Sequence, residues 1–152
     1  MSMIKKILFG GEGAATRFGD IGLTFARVCI GAFMAIGHGY GKIFNDAGIG
    51  PTDQFIKATE GMGFPAPTVF AWMAALTEFV GGILIALGLL TRPTAFFLAG
   101  NMMVAAFVAH AKNDWFGAPP NKEYALLFFV PALMFVFTGA GRFSIDALLR
   151  RK

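Results

Sequence analysis

The stretch Pro67–Arg92, PTVFAWMAALTEFVGGILIALGLLTR, decides the fold class of this chain. Between Pro67 and Leu90 the one charged side chain is that of Glu78. A helix crosses a hydrocarbon core of about 30 Å with about 20 consecutive apolar residues. Proline is favoured at the first helical position, where its missing amide has no intrahelical partner. The stretch therefore predicts a transmembrane helix over about residues 67–90, starting at Pro67.

Three more apolar stretches have similar lengths, at about residues 21–40, 93–111 and 121–138. The whole chain of 152 residues is 56% hydrophobic and 14% charged, whereas ordinary soluble domains are about 25% charged. This composition excludes a soluble globular domain. The prediction is an all-α integral membrane protein, a bundle of four transmembrane helices within residues 21–138.

The segments outside the spans are short. Residues 1–20 are predicted to be an interfacial or cytoplasmic segment, and residues 139–152 a basic cytoplasmic tail. In the first outer loop, Thr52–Gly61 places Phe55 and Ile56 on one side and charged residues on the others. This pattern is typical of a short amphipathic helix that lies at the membrane interface.

The distribution of lysine and arginine predicts the orientation, because cytoplasmic loops of membrane proteins are enriched in both. With four spans, one face carries eight basic residues and the other four, so both termini are predicted to be cytoplasmic. Interfacial aromatic residues at the non-cytoplasmic ends agree with this orientation. The eight are Lys5, Lys6, Arg17, Arg92, Arg142, Arg150, Arg151 and Lys152; the four are Lys42, Lys57, Lys112 and Lys122; the aromatic residues are Tyr40, Trp72, Trp115 and Tyr124.

Among ionisable residues inside predicted spans, Arg27 and Glu78 are the clear cases, because both lie well away from the span ends. Each costs at least about 2.5 kcal/mol to insert, so each is a candidate functional residue. Asn101 lies at a comparable depth, and Gly81 and Gly82 beside Glu78 allow close helix packing. Two interpretations stay open. The first is a buried ion pair that fixes the helix register, and the second is a polar cluster that binds a quinone or an acidic ligand.

The first predicted span carries a stripe of candidate residues. Arg27, Gly31, Met34 and His38 recur at helical spacing, and Lys42 follows one turn later. We expect this stripe to face the interior of the bundle, where Gly31 permits a neighbouring helix to approach.

The two histidines, His38 and His110, lie at similar depths and could ligate a haem between helices. A haem is disfavoured, because carboxylates such as Glu123 are equally good partners for them. Asn101 and His110 are nine residues apart, about 180° around an ideal helix. They can face one site only if that helix is distorted.

Other kinds of chemistry lack the residues they need. Cys29 is the one cysteine, which excludes an internal disulfide or dithiol pair. No HxxxH, HExxH or CxxC spacing occurs, so no metal site is predicted. The basic residues form no patch with interleaved aromatic residues, so nucleic acid is not a predicted partner.

The candidate residues fall in the following motifs: Arg27-Val-Cys-Ile-Gly31, Gly37-His-Gly-Tyr-Gly-Lys42, Glu78-Phe-Val-Gly-Gly82 with its continuation to Arg92, His110, and Gly139-Ala-Gly-Arg-Phe-Ser-Ile-Asp146. Together these motifs resemble the DoxX family, over about residues 20–149. The resemblance implies a small four-helix protein of the bacterial inner membrane, related to the DoxD-type subunit of thiosulfate:quinone oxidoreductase. It also implies that the polar positions of the family correspond here to Arg27, His38, Lys42, Glu78, Arg92 and His110.

The leading hypothesis is a membrane subunit of a redox system, either a quinone-linked oxidoreductase or an oxidative-stress complex. In it, Arg27 with Glu78, and His38 with Lys42, help to bind a quinone headgroup or another small acidic or carbonyl-bearing ligand. The expected partners are the lipid bilayer and a membrane or periplasmic protein or a second copy of the chain. The alternative is a non-catalytic subunit that assembles or stabilises a larger complex. A small transporter is disfavoured, because the chain has no evident inverted repeat.

Overall fold

A computed structural model of the chain describes residue 14, residues 16–118 and residues 121–151. Most of the predicted N-terminal segment, with Lys5 and Lys6, lies outside these residues. The described part is mostly helical, as predicted, with one small antiparallel hairpin in the first long connection. The helices are α1 (Arg17–Ile43), α2 (Asp53–Gly61), α3 (Pro67–Leu87), α4 (Thr91–Ala109), α5 (Lys122–Thr138) and α6 (Ile145–Arg151); the strands are β1 (Phe44–Asn45) and β2 (Gly48–Ile49).

Within the described residues, three helices are long and apolar enough to cross a membrane. They are α1 with 27 residues, α3 with 21 and α4 with 19. The fourth predicted span corresponds to α5, which has 17 residues and contains Pro131. The side chain of Asn121 caps α5 by accepting a hydrogen bond from the Tyr124 amide at 3.1 Å.

The four long helices run antiparallel in sequence order, and each packs along its neighbours. Helix α1 packs on α3, α3 on α4, and α4 on α5. The core between them is apolar, and its largest buried side chains are Met34, Ile85, Leu98 and Phe135. We call the end of the bundle that carries Arg17, Arg92 and Arg142 the basic end, and the end that carries Tyr40, Trp115 and Tyr124 the aromatic end.

The outer surface of the bundle is strongly apolar. Phenylalanine side chains on α4 and α5 are more than half exposed, among them Phe96, Phe97 and Phe137. Apolar patches of this extent are rare on soluble monomers and mark surfaces that contact lipid or protein. The exposed side chains therefore agree with a bundle that lies in a bilayer.

Two of the long helices contain π-helical segments at their aromatic ends, Phe33–Gly39 in α1 and Ala105–Ala109 in α4. A π-helical turn closes hydrogen bonds five residues apart instead of four. In α1 the buried residue that follows Met34 on the interior face is therefore Gly39, five residues later. His38 was expected on this interior stripe, and that expectation is wrong, because the wider turn leaves its side chain exposed.

Candidate functional site

Helices α1 and α3 touch through their backbones beside Glu78. A Cβ atom built on Gly82 would lie 2.7 Å from the Ala35 nitrogen, and one built on Gly31 would lie 2.6 Å from the Ala86 nitrogen. A Cβ on Gly39 would likewise clash with the backbone of α3. These glycines let the two helices pack without a layer of side chains. Glu78, which is 4% exposed, is thereby held against the last turns of α1.

The partner of Glu78 is Lys42. The Lys42 Nζ lies 2.6 Å from both carboxylate oxygens of Glu78, which makes this a two-oxygen ion pair between α1 and α3. From α4, the Asn101 amide donates a hydrogen bond of 3.1 Å to Glu78 Oε1. Three helices thus contribute to one polar cluster. Since a buried carboxylate is costly unless it is paired and hydrogen-bonded, this arrangement accounts for a charge in the middle of α3.

Helix α2 covers this cluster from the aromatic end. The Lys42 Nζ lies 5.0 Å from the centroid of the Phe55 ring, within the range of a cation–π interaction. Phe55 and Ile56 are half-buried and Thr59 is buried, so this face of α2 packs inward. The Lys42 side chain nevertheless remains 33% exposed. Of the two side chains, that of Lys42 therefore borders the surface, whereas that of Glu78 is enclosed by the helices.

The fourth member of the cluster is His110, at the end of the π-helical segment of α4. Its backbone amide bonds to the Ala105 carbonyl, five residues back, at 2.9 Å. Partial burial and the positive charge of Lys42 lower the pKa of His110 below its ordinary value. The ring is therefore neutral at about pH 7 and has one N–H donor and one acceptor. We call Lys42, Glu78, Asn101 and His110 the Lys42–Glu78 centre.

His38 does not join this centre. Its ring packs edge-on against Phe128 of α5, with 4.9 Å between the centroids. Among the described residues no three His, Cys, Asp or Glu side chains converge in a way that could hold a metal ion.

The ion pair expected between Arg27 and Glu78 does not form. Arg27 is 2% exposed and donates to the carbonyls of Ile85 at 2.7 Å, Ala86 at 2.6 Å and Phe143 at 2.9 Å. The last carbonyls of a helix have no intrahelical partner. Since α3 ends at Leu87, the carbonyls of Ile85 and Ala86 belong to this last turn, and they lie beside Arg27. The guanidinium group donates to them and does not extend along the bundle to Glu78.

The connection after α3, which we call the Gly88–Thr91 turn, is closed by a residue from the far end of the chain. Gly88 has φ +69° and Leu90 has φ +50°, both in the left-handed region. The Asp146 carboxylate accepts hydrogen bonds from the Leu90 amide at 2.8 Å and the Thr91 amide at 2.9 Å, and the Asp146 amide donates to the Gly88 carbonyl. Arg27 and Asp146 therefore both fix this turn.

Two buried carboxylates were not singled out as site candidates from the sequence. Asp20, with 0% exposure, pairs through Oδ2 with Arg142 Nε at 2.9 Å, and Asp146 is 2% exposed. Both are acidic residues within apolar surroundings near the ends of spans, which is the signal that could have identified them. Of the other structural candidates, Gly81 faces Thr94 of α4, and Arg92 donates to the Phe137 carbonyl at 2.7 Å.

Comparison with known proteins gives three matches. A family model described as DoxX matches residues 12–111. The chain is 36% identical over 139 residues to "Inner membrane protein YqjF" of Escherichia coli strain K12, which covers 88% of this chain and 95% of that protein. It is 35% identical over 127 residues to a Haemophilus influenzae protein described as uncharacterized, which covers 82% and 87% of the two chains. No solved structure gives a significant match.

Proposed function

The chain belongs to the DoxX family, and on that premise we propose that it is an inner-membrane subunit of a redox system. Its Lys42–Glu78 centre binds the headgroup of a quinone or another small ligand with carbonyl or acidic oxygens. The observation that carries this proposal is the lysine Lys42, whose side chain is 33% exposed and whose ammonium group is held on both oxygens of a buried carboxylate, with the histidine His110 nearby.

The donors of the centre suit a quinone headgroup. An ammonium group has three N–H donors, and Glu78 takes two of those of Lys42. We infer that the third donates to a ligand carbonyl, since the described residues offer Lys42 Nζ no acceptor besides the two Glu78 oxygens. His110 supplies a second, neutral donor in the same region. Fixed donors of this kind stabilise oxygen atoms that gain negative charge on reduction.

A bound quinone would accept two electrons and two protons, and the electrons would come from a partner oxidoreductase subunit. In this chain, Glu78 fixes the position of Lys42, Asn101 fixes one oxygen of Glu78, and Phe55 covers the ammonium group. The chain is then at most the membrane subunit of an enzyme. Its residues bind and orient the ligand, and they do not themselves donate electrons.

The same proposal includes the membrane arrangement. We place α5 across the bilayer as a fourth span, because it packs along α4 throughout and its 17 residues extend over about 26 Å. The basic end then lies on the cytoplasmic side, as the lysine and arginine distribution predicts. The Lys42–Glu78 centre opens toward the opposite side of the membrane.

A second candidate function is a non-catalytic subunit that assembles or stabilises a membrane complex. The observation in its favour is the outward face of α2, where Asp53, Lys57 and Glu60 are all exposed. A partner protein at the membrane surface could recognise these charges. In that case the Lys42–Glu78 centre would serve only to hold α1, α3 and α4 together.

The experiment that separates the two is quinone binding by the full-length protein, purified gently in detergent from its own membrane. Extracted quinones are identified by mass spectrometry, and added ubiquinone-1 is titrated into the wild type, Lys42→Gln and His110→Gln. Both variants are expected to lose bound quinone, whereas the matched control Lys57→Gln keeps it. Folding of each variant is checked by thermal unfolding. Folded variants that retain wild-type quinone binding would refute the proposal.

A further inference from the structure

The basic end of the bundle contains a cleft of about 650 Å³ that is separate from the Lys42–Glu78 centre. It opens between the start of α1, the end of α3 and the segment that leads into α6. Its walls include Arg17 and Arg142 on one hand and Leu87, Phe143 and Leu148 on the other. This volume lies within the usual range of small-molecule sites, about 300 to 1,000 Å³.

The charge of the cleft is positive. Arg142 is held in position by an ion pair, because its Nε lies 2.9 Å from the buried Asp20 carboxylate, while its side chain remains 54% exposed. In the described part of the chain its terminal Nη groups have no other acceptor, and Arg17 is exposed. The described lining residues include no carboxylate. Two guanidinium groups, one of them held in place, thus face the same opening.

The apolar walls of the cleft are also exposed. Leu87 is 50% exposed, Phe143 45% and Leu148 61%. Leu87 lies at the end of a membrane-spanning helix, Phe143 in the segment before α6, and Leu148 on α6. Arginine is well suited to phosphate, since its planar group donates two parallel hydrogen bonds. The cleft therefore combines phosphate donors with a surface that an acyl chain can cover.

We propose that this cleft binds one anionic phospholipid, with the headgroup phosphate between Arg17 and Arg142 and an acyl chain against Leu87 and Leu148. A free phosphate ion shares the headgroup's chemistry. The exposed leucines, which a free ion would leave in water, favour the lipid. The bound lipid would link α1, α3 and the segment before α6 at the membrane surface.

The test is native mass spectrometry of the full-length, delipidated protein in detergent, titrated with phosphatidylglycerol or with phosphatidylcholine of the same acyl chains. The wild type is expected to bind one phosphatidylglycerol in preference to phosphatidylcholine. Arg17→Gln should bind it about fivefold more weakly, the usual contribution of one basic residue near anionic lipid. Lys57→Gln, which removes an exposed charge from α2, should bind like the wild type.

Two further measurements distinguish a lipid headgroup from a free phosphate ion as the ligand. Leu148→Gln should also weaken phosphatidylglycerol binding, since it makes the apolar wall polar without changing the charge. Inorganic phosphate at the lipid's concentration should not displace the lipid. Equal binding of the two lipids, no effect of Arg17→Gln or of Leu148→Gln, or displacement by inorganic phosphate would each overturn the proposal.

Discussion

Asn101 on α4 donates to Glu78 at 3.1 Å, and His110, nine residues further along the chain, lies close enough to Lys42 for the positive charge of Lys42 to lower its pKa. On a regular helix they would point in opposite directions. The π-helical segment Ala105–Ala109 changes the helical phase between them. Such segments are frequent at functional sites, and this one completes the Lys42–Glu78 centre.

The ion pair itself gives the first prediction. Glu78→Gln should lower the free energy of unfolding by about 2 kcal/mol, because it leaves the Lys42 charge without its carboxylate. The double variant Lys42→Met with Glu78→Met should recover most of this loss, since apolar replacements of a buried pair are often neutral. Thermal unfolding in detergent measures both. A double variant that is stable and still binds ubiquinone-1 would contradict the ligand-binding role.

The second prediction concerns Arg27. Arg27→Lys should destabilise the protein by about 1 to 3 kcal/mol, because two separate nitrogen atoms, Nη1 and Nη2, serve the three carbonyls. The single nitrogen of an ammonium group cannot occupy both positions, which leaves a buried acceptor unsatisfied. Quinone binding by the folded variant should be unchanged, since Arg27 hydrogen-bonds at the end of α3 and not to Glu78. A folded Arg27→Lys variant that loses quinone would instead place Arg27 in the ligand site.

The third prediction tests the backbone contact between α1 and α3. Gly39→Ala should separate the helices and lower stability, because its Cβ would meet the backbone of α3 at Phe79. Gly37→Ala, in the same π-helical segment, has open space around the new methyl group and serves as the matched control. Overpacking of this kind costs about 1 to 3 kcal/mol. Equal melting temperatures for the two variants would argue against the close contact.

The fourth prediction is a pH dependence. The pKa of His110 is lower in the folded protein than in the unfolded chain, so the unfolded state binds more protons over this range. Stability should therefore be full above an unfolded pKa of about 6.5 and fall as the pH drops through it. Melting temperatures between about pH 8 and pH 5 measure this effect. His110→Gln should reduce the change of melting temperature with pH. If this variant keeps the full pH dependence, another titratable group causes it.

The fifth prediction addresses the Gly88–Thr91 turn. Asp146→Ala should cost about 1 to 2 kcal/mol, the usual effect of losing a side-chain cap at a helix start. The matched control is Asp53→Ala on the exposed first turn of α2, which should change stability little. Thermal unfolding of the two variants measures this difference, and equal effects would mean that the hydrogen bonds of Asp146 do not stabilise the turn.

The helices were predictable because apolar length and proline position are local properties of the sequence. The π-helical segments were not, since nothing in FMAIGHG or AAFVA distinguishes a wider turn from an α-helical one. This is why His38 was expected inside the bundle. The hydrogen-bond partners of Arg27 could not be predicted either, because they depend on where α3 ends. Gly88 stops the helix at Leu87, three residues before the predicted end at residue 90.

For the candidate site, Lys42, Glu78, Asn101 and His110 were all named from the sequence as candidate residues, with Asn101 at a depth comparable to that of Glu78 and His110 at that of His38. The sequence pattern did not show which of them pair. Depth along a helix follows from counting residues, whereas pairing across helices depends on their rotation and separation. Glycine contacts such as Gly82 against Ala35 set that separation, and they become visible only in three dimensions.

The hydrogen bonds between Asp146 and the Gly88–Thr91 turn also have a consequence for the order in which the protein folds during synthesis. The amides of Leu90 and Thr91 emerge more than fifty residues before the carboxylate that receives them. The connection between α3 and α4 therefore lacks these two hydrogen bonds until residue 146 has been made, although the end of α3 can already be held by Arg27.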